Sequence, residues 1–514
     1  MRIKQHLYWG LPVTVLLIGI IILFFQNLSE VTEAPEENWS RELHIGETST
    51  NNYPYVKQIN EQSFELLEFS EDSLVKKTFN SYEEVDEYRF ADIDVTKWTQ
   101  AYVNGTDLIY FDYHDIYNGN SGEKITAADK FYPLSNHVFY LKENQLFQLT
   151  QDKESIHLHT FKNAFDQIIP IETGLGVYFL DYYRDHGKLH VNMYEVKDYD
   201  AELLTQQTLN IHYKEQIKQV VYTVKEGTTA LVVQTEIKGT GGNQPINTVY
   251  YYDSTLSEIS KIQFDDPYGQ GMLHEVHDIS LTFIDEQLRI LFSAKGSSNT
   301  PFKETKAFNI YEALQEDGVF KVERRSNTPY LSKKPQWISS NLISWIEISN
   351  ESNPVFISSD DPKLIENTKN VDNDDLVSGL GKTLGMFSAS FFGIILSALW
   401  WVGPVLFLLI AFIVKRKVTD HDPNWVYYAG VILYFLSFII FKDQFCIDTI
   451  SAQAPKYLTF VGSSYVYFFL FGIVSYISAS IGSNKHEWSS PVKLVYFMAT
   501  HMAQMTVLFG PYFL

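Results

Sequence analysis

The chain has 514 residues, of which 45% are hydrophobic, and its formal net charge is -22 at pH 7. Its one cysteine, Cys446, excludes an intramolecular disulfide, a zinc site of several thiolates and a CxxC redox pair. The acidic charge repels phosphate backbones, so we expect no nucleic-acid partner. The long apolar runs lie near the two ends of the chain, which excludes a purely soluble protein.

The first apolar run extends from Leu7 to Phe25 and follows the basic residues Arg2 and Lys4. Nineteen helical residues span roughly 28 Å, which is enough to cross the hydrocarbon core of a bilayer. No pair of small residues that would mark a signal-peptidase site follows Phe25 closely. We therefore predict that residues 1–26 form an uncleaved transmembrane signal anchor, with the N-terminus in the cytoplasm.

Two polar segments flank the middle of the chain. Residues 27–52 are rich in Glu, Ser, Thr and Asn, which predicts a tether, and residues 359–380 contain the run Asp372-Asn373-Asp374-Asp375, which predicts an acidic linker. Positions 27–381 hold 30 basic and 57 acidic residues, a net charge of about -27. A folded acidic domain is expected between the two segments, over residues 53–358.

Short runs with alternating apolar and polar residues dominate residues 53–358, which is typical of an antiparallel all-β fold. Four runs within 219–264 recur within 278–324 at a shift of 58 to 60 residues, and looser copies occupy 167–210 and 335–365. Four strands per repeat at this spacing predict a β-propeller of five to seven blades. A jelly roll or two stacked sandwiches remain alternatives, because no diagnostic blade motif recurs.

The last part of the chain, residues 381–514, is predicted to be a membrane domain with about four further spans, near 384–414, 425–441, 457–481 and 492–514. The basic cluster Lys415-Arg416-Lys417 follows the first of these and predicts a cytoplasmic loop. About five spans in total would then place residues 27–380 outside the cytoplasm, in a multi-pass protein of a bacterial cell membrane. The segment 381–414 is also long enough for an interfacial helix followed by a span.

Small residues recur at helical spacing in two of these spans. Such residues let helix backbones approach closely in lipid. We interpret them as helix-packing faces, within the chain or against a partner membrane protein or a second copy; they are Gly381, Gly385, Ala389, Gly393 and Ser397 in one span, and Gly472, Ser475, Ala479 and Gly482 in another.

Histidines and methionines provide a few weak metal candidates. His157 and His159 share one strand face, and His274 and His277 are three residues apart, which does not fit the helical zinc motif HExxH. Helical spacing places Met498, His501 and Met505 on one face of the last span, a soft ligand set that suits copper(I). In each case we favour a structural role, so we predict no metal, no cofactor and no catalytic residue.

The function that we favour needs no catalytic residues. It is a binding, scaffold or sensor module that is displayed outside the membrane and docks on an envelope partner. Two alternatives stay open. The domain could be an extracellular enzyme with a propeller site assembled only by the fold, or the chain could be a regulatory subunit of a membrane transport system.

Overall fold

The fold is described from a computed structural model of the full chain. The structure describes residues 6–70, 73–90, 93–161, 165, 167–239, 245–254, 259–269, 271–297, 308–316, 318–328, 330–350, 352–414, 423–445 and 454–513. The basic cluster Lys415-Arg416-Lys417 and Cys446 lie outside these residues. The chain divides into two compact units: the first comprises Met1–Glu33 and Val371–Leu514, and the second comprises Ala34–Ser297 and Lys306–Asn370.

The second unit is a β-propeller-like domain, and its described residues contain 28 strands. They form seven groups of four, which we call blades 1 to 7. Blade 1 consists of β2 (Tyr55–Asn60), β3 (Ser63–Ser70), β4 (Ser73–Asn80) and β5 (Glu83–Phe90). Blade 2 consists of β6 (Gln100–Asn104), β7 (Asp107–Phe111), β8 (Asp115–Asn118) and β9 (Lys124–Ala127). Blade 3 consists of β10 (Lys130–Pro133), β11 (Val138–Lys142), β12 (Gln145–Leu149) and β13 (Ser155–Thr160). Blade 4 consists of β14 (Gln167–Thr173), β15 (Gly176–Asp185), β16 (Lys188–Lys197) and β17 (Asp200–Asn210). Blade 5 consists of β18 (Gln216–Lys225), β19 (Thr228–Ile237), β20 (Ile246–Asp253) and β21 (Ser260–Ile262). Blade 6 consists of β22 (His274–Ile284), β23 (Gln287–Lys295), β24 (Phe308–Glu316) and β25 (Val319–Arg324). Blade 7 consists of β26 (Ser332–Trp337), β27 (Leu342–Glu347), β28 (Asn353–Ser359) and the first strand of the chain, β1 (Leu43–Thr48).

Each blade is an antiparallel meander whose local structure follows from its sequence pattern. In β16, the alternate residues Leu189, Val191 and Met193 are buried. The turn that joins β18 to β19 contains Gly227 at φ +71°, a backbone conformation that glycine adopts without steric cost. Alternation therefore sets which face of each strand enters the core, and turn residues set where each strand ends.

Every pair of neighbouring blades shares a cluster of buried apolar side chains. Blade 7 also shares one with blade 1, so the series of contacts is circular. Representative buried pairs, from blades 1 and 2 round to blades 7 and 1, are Leu74 and Leu108, Ile116 and Phe131, Leu146 and Ile168, Leu189 and Val233, Val232 and Ile290, Ile310 and Trp345, and Ile346 and Leu66.

The first strand of the chain completes the last blade. β1 pairs antiparallel with β28, with Leu43 opposite Ile357, and meets blade 1 at a single parallel pair between Thr48 and Phe69. Since β28 ends beside the start of β1, the chain enters and leaves the domain at the same end of blade 7. We call this the connection end.

Two boundary expectations need correction. Much of the predicted tether 27–52 is folded: Trp39 is buried, its Nε1 donates to Ser358 Oγ at 2.8 Å, and the Arg325 guanidinium lies 4.1 Å from its ring centre. The predicted linker 359–380 contains helix α2 (Pro362–Thr368) and the start of helix α3 (Asn373–Ser397).

The acidic residues of this second segment are helix caps. The Asp361 side chain accepts from the Lys363 N–H at 2.8 Å at the start of α2. Asp372 and Asp375 form a reciprocal capping box, with bonds of 2.8 and 3.1 Å, at the start of α3. Acidic side chains satisfy unpaired N–H groups at helix N-termini, so a composition that suggests a solvated linker also suits two helix starts.

The first unit is helical, and five of its helical segments are long and apolar enough to cross a membrane, judged over the described residues. They are α1 (Leu7–Val31), α3 continued through a 3-10 turn at Ala398–Trp401 into α4 (Val402–Val414), α5 (Asn424–Phe445), α7 (Ser463–His486) and α8 (Ser490–Phe509). A one-turn helix α6 (Lys456–Thr459) precedes α7, and a 3-10 turn at Gly510–Tyr512 follows α8.

The five segments reverse direction one after another. α1 and α8 run the same way, because the Tyr496 hydroxyl donates to the Tyr8 carbonyl near their starts and Tyr512 donates to Gln26 near their ends. α3 runs against α1, since Asn27 near the end of α1 donates to Thr383 near the start of α3.

Contacts between helices also fix the directions of the other two segments. α5 runs with α8, because Ser490 bonds the Pro423 carbonyl and Tyr434 bonds His501. α7 runs against α8, because Gly482 lies beside Trp488 at one end while His501 bonds the Phe468 carbonyl towards the other end. The alternation is what five consecutive crossings of one bilayer require.

One buried carboxyl makes the stability of the domain depend on pH. Glu347 is 3% exposed at the end of β27. Burial raises the pKa of its carboxyl from 4.5 to about 7, although hydrogen bonds from Thr328 and Ser332 act in the opposite direction. Between these two pKa values the folded chain binds a proton that the unfolded chain has lost, so stability falls as pH rises through this window.

We therefore expect Glu347→Gln to remove a pH dependence of about 3 kcal/mol between pH 4.5 and 8, from the cost of about 1.4 kcal/mol per pKa unit. Urea unfolding of the full chain in detergent micelles, followed by tryptophan fluorescence, measures the difference. Wild type should be less stable at pH 8 than at pH 5, and the variant should lose most of that decrease. An equal pH slope in both chains would contradict the assignment.

Candidate functional site

A polar cavity of about 830 Å³ lies where three innermost strands end. β14, β18 and β22 are the first strands of blades 4, 5 and 6, and they lie side by side. The cavity wall consists of their last residues, the turns that follow them and the β10–β11 turn of blade 3: Ser135, Asn136, Ile171–Leu175, Tyr222–Glu226, Leu281–Phe283 and Glu286. The cavity thus occupies one end of the central axis of the domain.

Glu172 provides a fixed carboxylate in this wall. Its two oxygens accept from the Asn136 backbone N–H at 2.9 Å and from Asn136 Nδ2 at 2.7 Å, and His137 Nδ1 lies 3.3 Å away. Burial alone would raise the pKa of Glu172, but these contacts with Asn136 and His137 outweigh it and lower the pKa. Glu172 is therefore ionised at neutral pH and joins blade 4 to blade 3.

Lys225 provides a cation at the opposite side of the cavity. Its Nζ donates to the Glu286 carbonyl at 3.3 Å, lies 3.5 Å from the Glu286 carboxylate, and is 5.8 Å from the centre of the Phe283 ring. Lys225 is the last residue of β18, so the turn through Gly227 sets its position. The ammonium is partly exposed and can exchange its contact with Glu286 for a ligand anion.

A second cavity, of about 580 Å³, lies between blades 4 and 5. Its inner wall is apolar and includes Tyr178, Leu180, Val191, Met193, Leu231 and Tyr252, each no more than 8% exposed. It shares Leu175, Val224, Lys225 and Glu226 with the polar cavity, so the two spaces adjoin. An apolar pocket beside a few fixed polar groups is the usual composition of a ligand site.

None of these cavity residues was singled out in the sequence. Their common signal is positional: Glu172-Thr173-Gly174 and Lys225-Glu226-Gly227 both end the first strand of a repeat. Once the repeats are aligned, charged residues at that position are candidates for the wall of a cavity at one end of the central axis.

The predicted histidine pairs lie apart from these cavities. His157 Nε2 bonds Thr160 Oγ1 at 2.8 Å, whereas His159 packs against the rings of Phe161, Phe179 and Tyr194. Within the described part of the chain, no group of three His, Cys, Asp or Glu side chains is arranged to hold a metal.

His274 and His277 lie at the start of β22, where two irregularities in register interrupt the pairing with β23. Glu275 and Asp278 have φ values of +52° and +51°, so the backbone here is strained. Glu275 pairs with Lys295 at 2.8 Å, and burial together with the Lys333 charge lowers the pKa of His277. The irregular strand explains why simple alternation does not describe this segment.

His501 is enclosed in the helical unit. Its Nε2 lies 2.9 Å from the Phe468 carbonyl, which can only accept, so Nε2 carries the proton and Nδ1 accepts from the Tyr434 hydroxyl at 2.9 Å. Met498 and Met505 are also fully buried. Both ring nitrogens are engaged, so a metal at His501 would have to displace one of these bonds.

The first stripe of small residues divides between two faces of α3. Ala389, Gly393 and Ser397 are buried, whereas an added Cβ at Gly381 or Gly385 would meet nothing within 4 Å. A step of four residues advances 400°, so five such positions rotate by about 160° and cannot all face one neighbour. The packed face instead continues through Gly379, which lies against Leu28 of α1. The partner interface proposed for Gly381 and Gly385 stays a prediction.

The second stripe lies inside the unit. Ser475 and Ala479 are fully buried, an added Cβ at Gly472 would contact Phe435 at 3.3 Å, and one at Gly482 would clash with the Trp488 ring. These small residues allow α7 to pack closely against its neighbours.

The two faces of α3 predict opposite outcomes for matched substitutions. Gly393→Leu should clash with Thr506 and Phe513, which lie 3.2 and 2.8 Å from its Cβ position, and should lower stability by about 1 to 3 kcal/mol. Gly385→Leu should change stability by less than about 0.5 kcal/mol. Thermal unfolding in detergent measures both, and an equal loss in Gly385→Leu would show that this face is covered by a partner or a second copy.

No protein-family model and no curated protein matches the chain. Among solved structures, it is similar to an ulvan lyase of polysaccharide lyase family PL25, with 8% identity over 66% of this chain and 99% of the other and a TM-score of 0.43. It is also similar to TolB from Acinetobacter baumannii (10% identity, 60% and 77% covered, TM-score 0.31) and to Trypanosoma rangeli sialidase (8%, 64% and 58%, TM-score 0.33).

Proposed function

We propose that the chain is a multi-pass protein of a bacterial cell membrane that displays a seven-bladed propeller outside the cytoplasm as a ligand-binding module. The observation that carries the binding function is the open cavity at the end of β14, β18 and β22, with an ionised Glu172 and a cationic Lys225 in its wall. The fixed charges select a ligand by its polar groups, and the adjoining apolar cavity offers contact area.

The helical unit supports membrane insertion through its exposed side chains. Ile395, Ile413 and Ile440 are 67%, 80% and 70% exposed, whereas the polar Asn27, His501 and Gln504 are almost completely buried. This distribution is costly in water and favourable in hydrocarbon, where backbone and side-chain polar groups must be satisfied inside the protein. Five reversing helices covered by lipid account for it.

The orientation follows from charge. Arg2 and Lys4 precede α1, and Lys415-Arg416-Lys417 follow α4, two crossings later. Positive residues stay preferentially in the cytoplasm, and both groups do so only if the acidic region between them lies outside.

Cysteine labelling tests this orientation in a Cys446→Ser background. Ser121→Cys lies on an exposed turn of blade 2, and Asn484→Cys is exposed near the end of α7. We expect a membrane-impermeant maleimide to label the former in intact cells and the latter only after permeabilisation. The reverse pattern would place the propeller in the cytoplasm and refute the proposed display.

The binding site is tested by filling the polar cavity. Thr282 lines it between Leu281 and Phe283, which pack into the core, so Thr282→Trp should obstruct the cavity without disturbing the blade interface. We expect a small molecule, identified by mass spectrometry, to co-purify with the wild-type full chain and to decrease at least tenfold in this variant. Lys321→Trp, on an exposed part of blade 6, is the control. Absence of any bound molecule from the wild type would oppose the proposal.

A further inference from the structure

We infer that the cavity between blades 4 and 5 binds an acyl chain, and that the polar head of the same molecule occupies the cavity on the central axis. The inference deepens the proposed function, since it names the class of ligand for that site. The shared chemistry is a long aliphatic chain with an anionic or zwitterionic head, carried by either a membrane phospholipid or a free fatty acid.

The cavity between blades 4 and 5, which we call the inner cavity, has a volume and a lining that favour an aliphatic group. Its volume of about 580 Å³ lies within the range of small-molecule sites, and its deepest side chains, Leu180, Val191 and Leu231, carry no polar atoms. The blades on either side share a continuous apolar cluster that contains these three residues. An aliphatic chain would extend that cluster and remove its surface from water, which supplies most of the binding energy of such a ligand.

The mouth of this cavity is apolar and open. Leu175 on the β14–β15 turn and Leu204 on β17 line it, with exposures of 46% and 47%. Tyr199, on the β16–β17 turn at the same end of the blade, is 54% exposed. Single exposed apolar residues are common, but three large ones at one end of an apolar cavity mark a surface that is covered in use.

The mouth opens at the connection end. β14, β18 and β22 run in the same direction, because their last residues meet in the wall of the polar cavity. β26 runs with them, because its first residue Ser332 accepts from Ser293, which lies opposite His277 near the start of β22. In blade 7, β28 runs parallel to β26 and ends at the same end as the turns that follow the innermost strands. The β14–β15 and β18–β19 turns thus lie at the end where the chain leaves towards apolar helices.

Lys225 supplies the group that recognises the head. It lines both cavities, and the Glu286 carboxylate, 3.5 Å away, is 87% exposed at the side chain, so a ligand anion can replace this contact. A carboxylate or phosphate bound there would lie on one side of Lys225, with its aliphatic chain passing Leu175 and Val224 into the inner cavity. The same wall carries the carboxylates Glu172, Glu226 and Glu286, and Lys225 is the one cation among its lining residues. A zwitterionic head can pair with both signs of charge there, and a single anionic head can pair only with Lys225.

Photo-crosslinking of the full chain in nanodiscs tests the inference. One arm uses phosphatidylcholine with a diazirine in its acyl chain as a component of the disc, and the other uses a diazirine fatty acid added to discs of unlabelled lipid. After irradiation and digestion, we expect adducts within residues 175–193 or 204–207, and adducts on the apolar helices serve as the internal standard.

Neighbouring residues of β17 provide matched variants. Thr205 lines the inner cavity, whereas Gln206 is exposed and absent from its lining. Thr205→Trp should decrease the propeller adducts at least tenfold relative to the helix adducts, and Gln206→Trp should leave them unchanged. Leu204→Glu, at the exposed mouth, is a second variant that the fold should tolerate and that should also decrease them.

The arm that produces the adducts identifies the source, phospholipid or fatty acid. The inference is overturned if neither arm labels these peptides while the helices are labelled, or if Thr205→Trp labels as strongly as wild type. Failure of the inference is distinct from failure of the proposed function. A co-purifying molecule that lacks an aliphatic chain and is lost in Thr282→Trp would leave the binding module intact, and reversed cysteine labelling would refute the display without affecting the adducts.

Discussion

The pairing of β1 with β28 is the constraint on which the rest of the molecule depends. Without it, blade 7 would have three strands, and its buried contact with blade 1 would lose Ile45. Because the two strands are antiparallel neighbours, the pairing also brings the incoming and outgoing chain to one end of the domain. One set of backbone hydrogen bonds therefore completes the circular packing and determines where the domain is connected to the apolar helices.

Circular packing also explains where the cavities lie. Each blade is a twisted sheet, so neighbouring blades fit closely along most of their shared face and diverge where their strands end. Clusters of aliphatic and aromatic side chains fill the close part, as Leu189 and Val233 do between blades 4 and 5. The space left near the turns is apolar between blades and polar on the axis, where Glu172 and Lys225 stand at strand ends. The arrangement of the blades thus places an apolar cavity beside a polar one.

Much of this fold follows from patterns that are local in the sequence. Alternation along strands such as β16 and recurrence at 58 to 60 residues predict blades, and long apolar runs predict the five helices. The tether and linker were mistaken because composition does not distinguish a solvated aspartate from Asp372, which caps a helix. The cavity could not be predicted, since Asn136, Glu172 and Lys225 meet only through tertiary packing. Similarly, a period of four along α3 suggested one face for Gly381 and Gly393, whereas the helical period of 3.6 separates them.

The two units distribute their apolar and polar side chains in opposite ways. In the propeller, apolar side chains lie between blades and charges face water, so a buried carboxyl such as Glu347 is the costly exception. In the helical unit, large aliphatic residues face outward and small or polar ones lie inside, where His501 is satisfied by Tyr434 and by the Phe468 carbonyl. A ligand with an apolar chain and a polar head matches both kinds of surface. The cavity pair at the connection end has both characters, which is why an acyl ligand fits this chain better than a purely polar one.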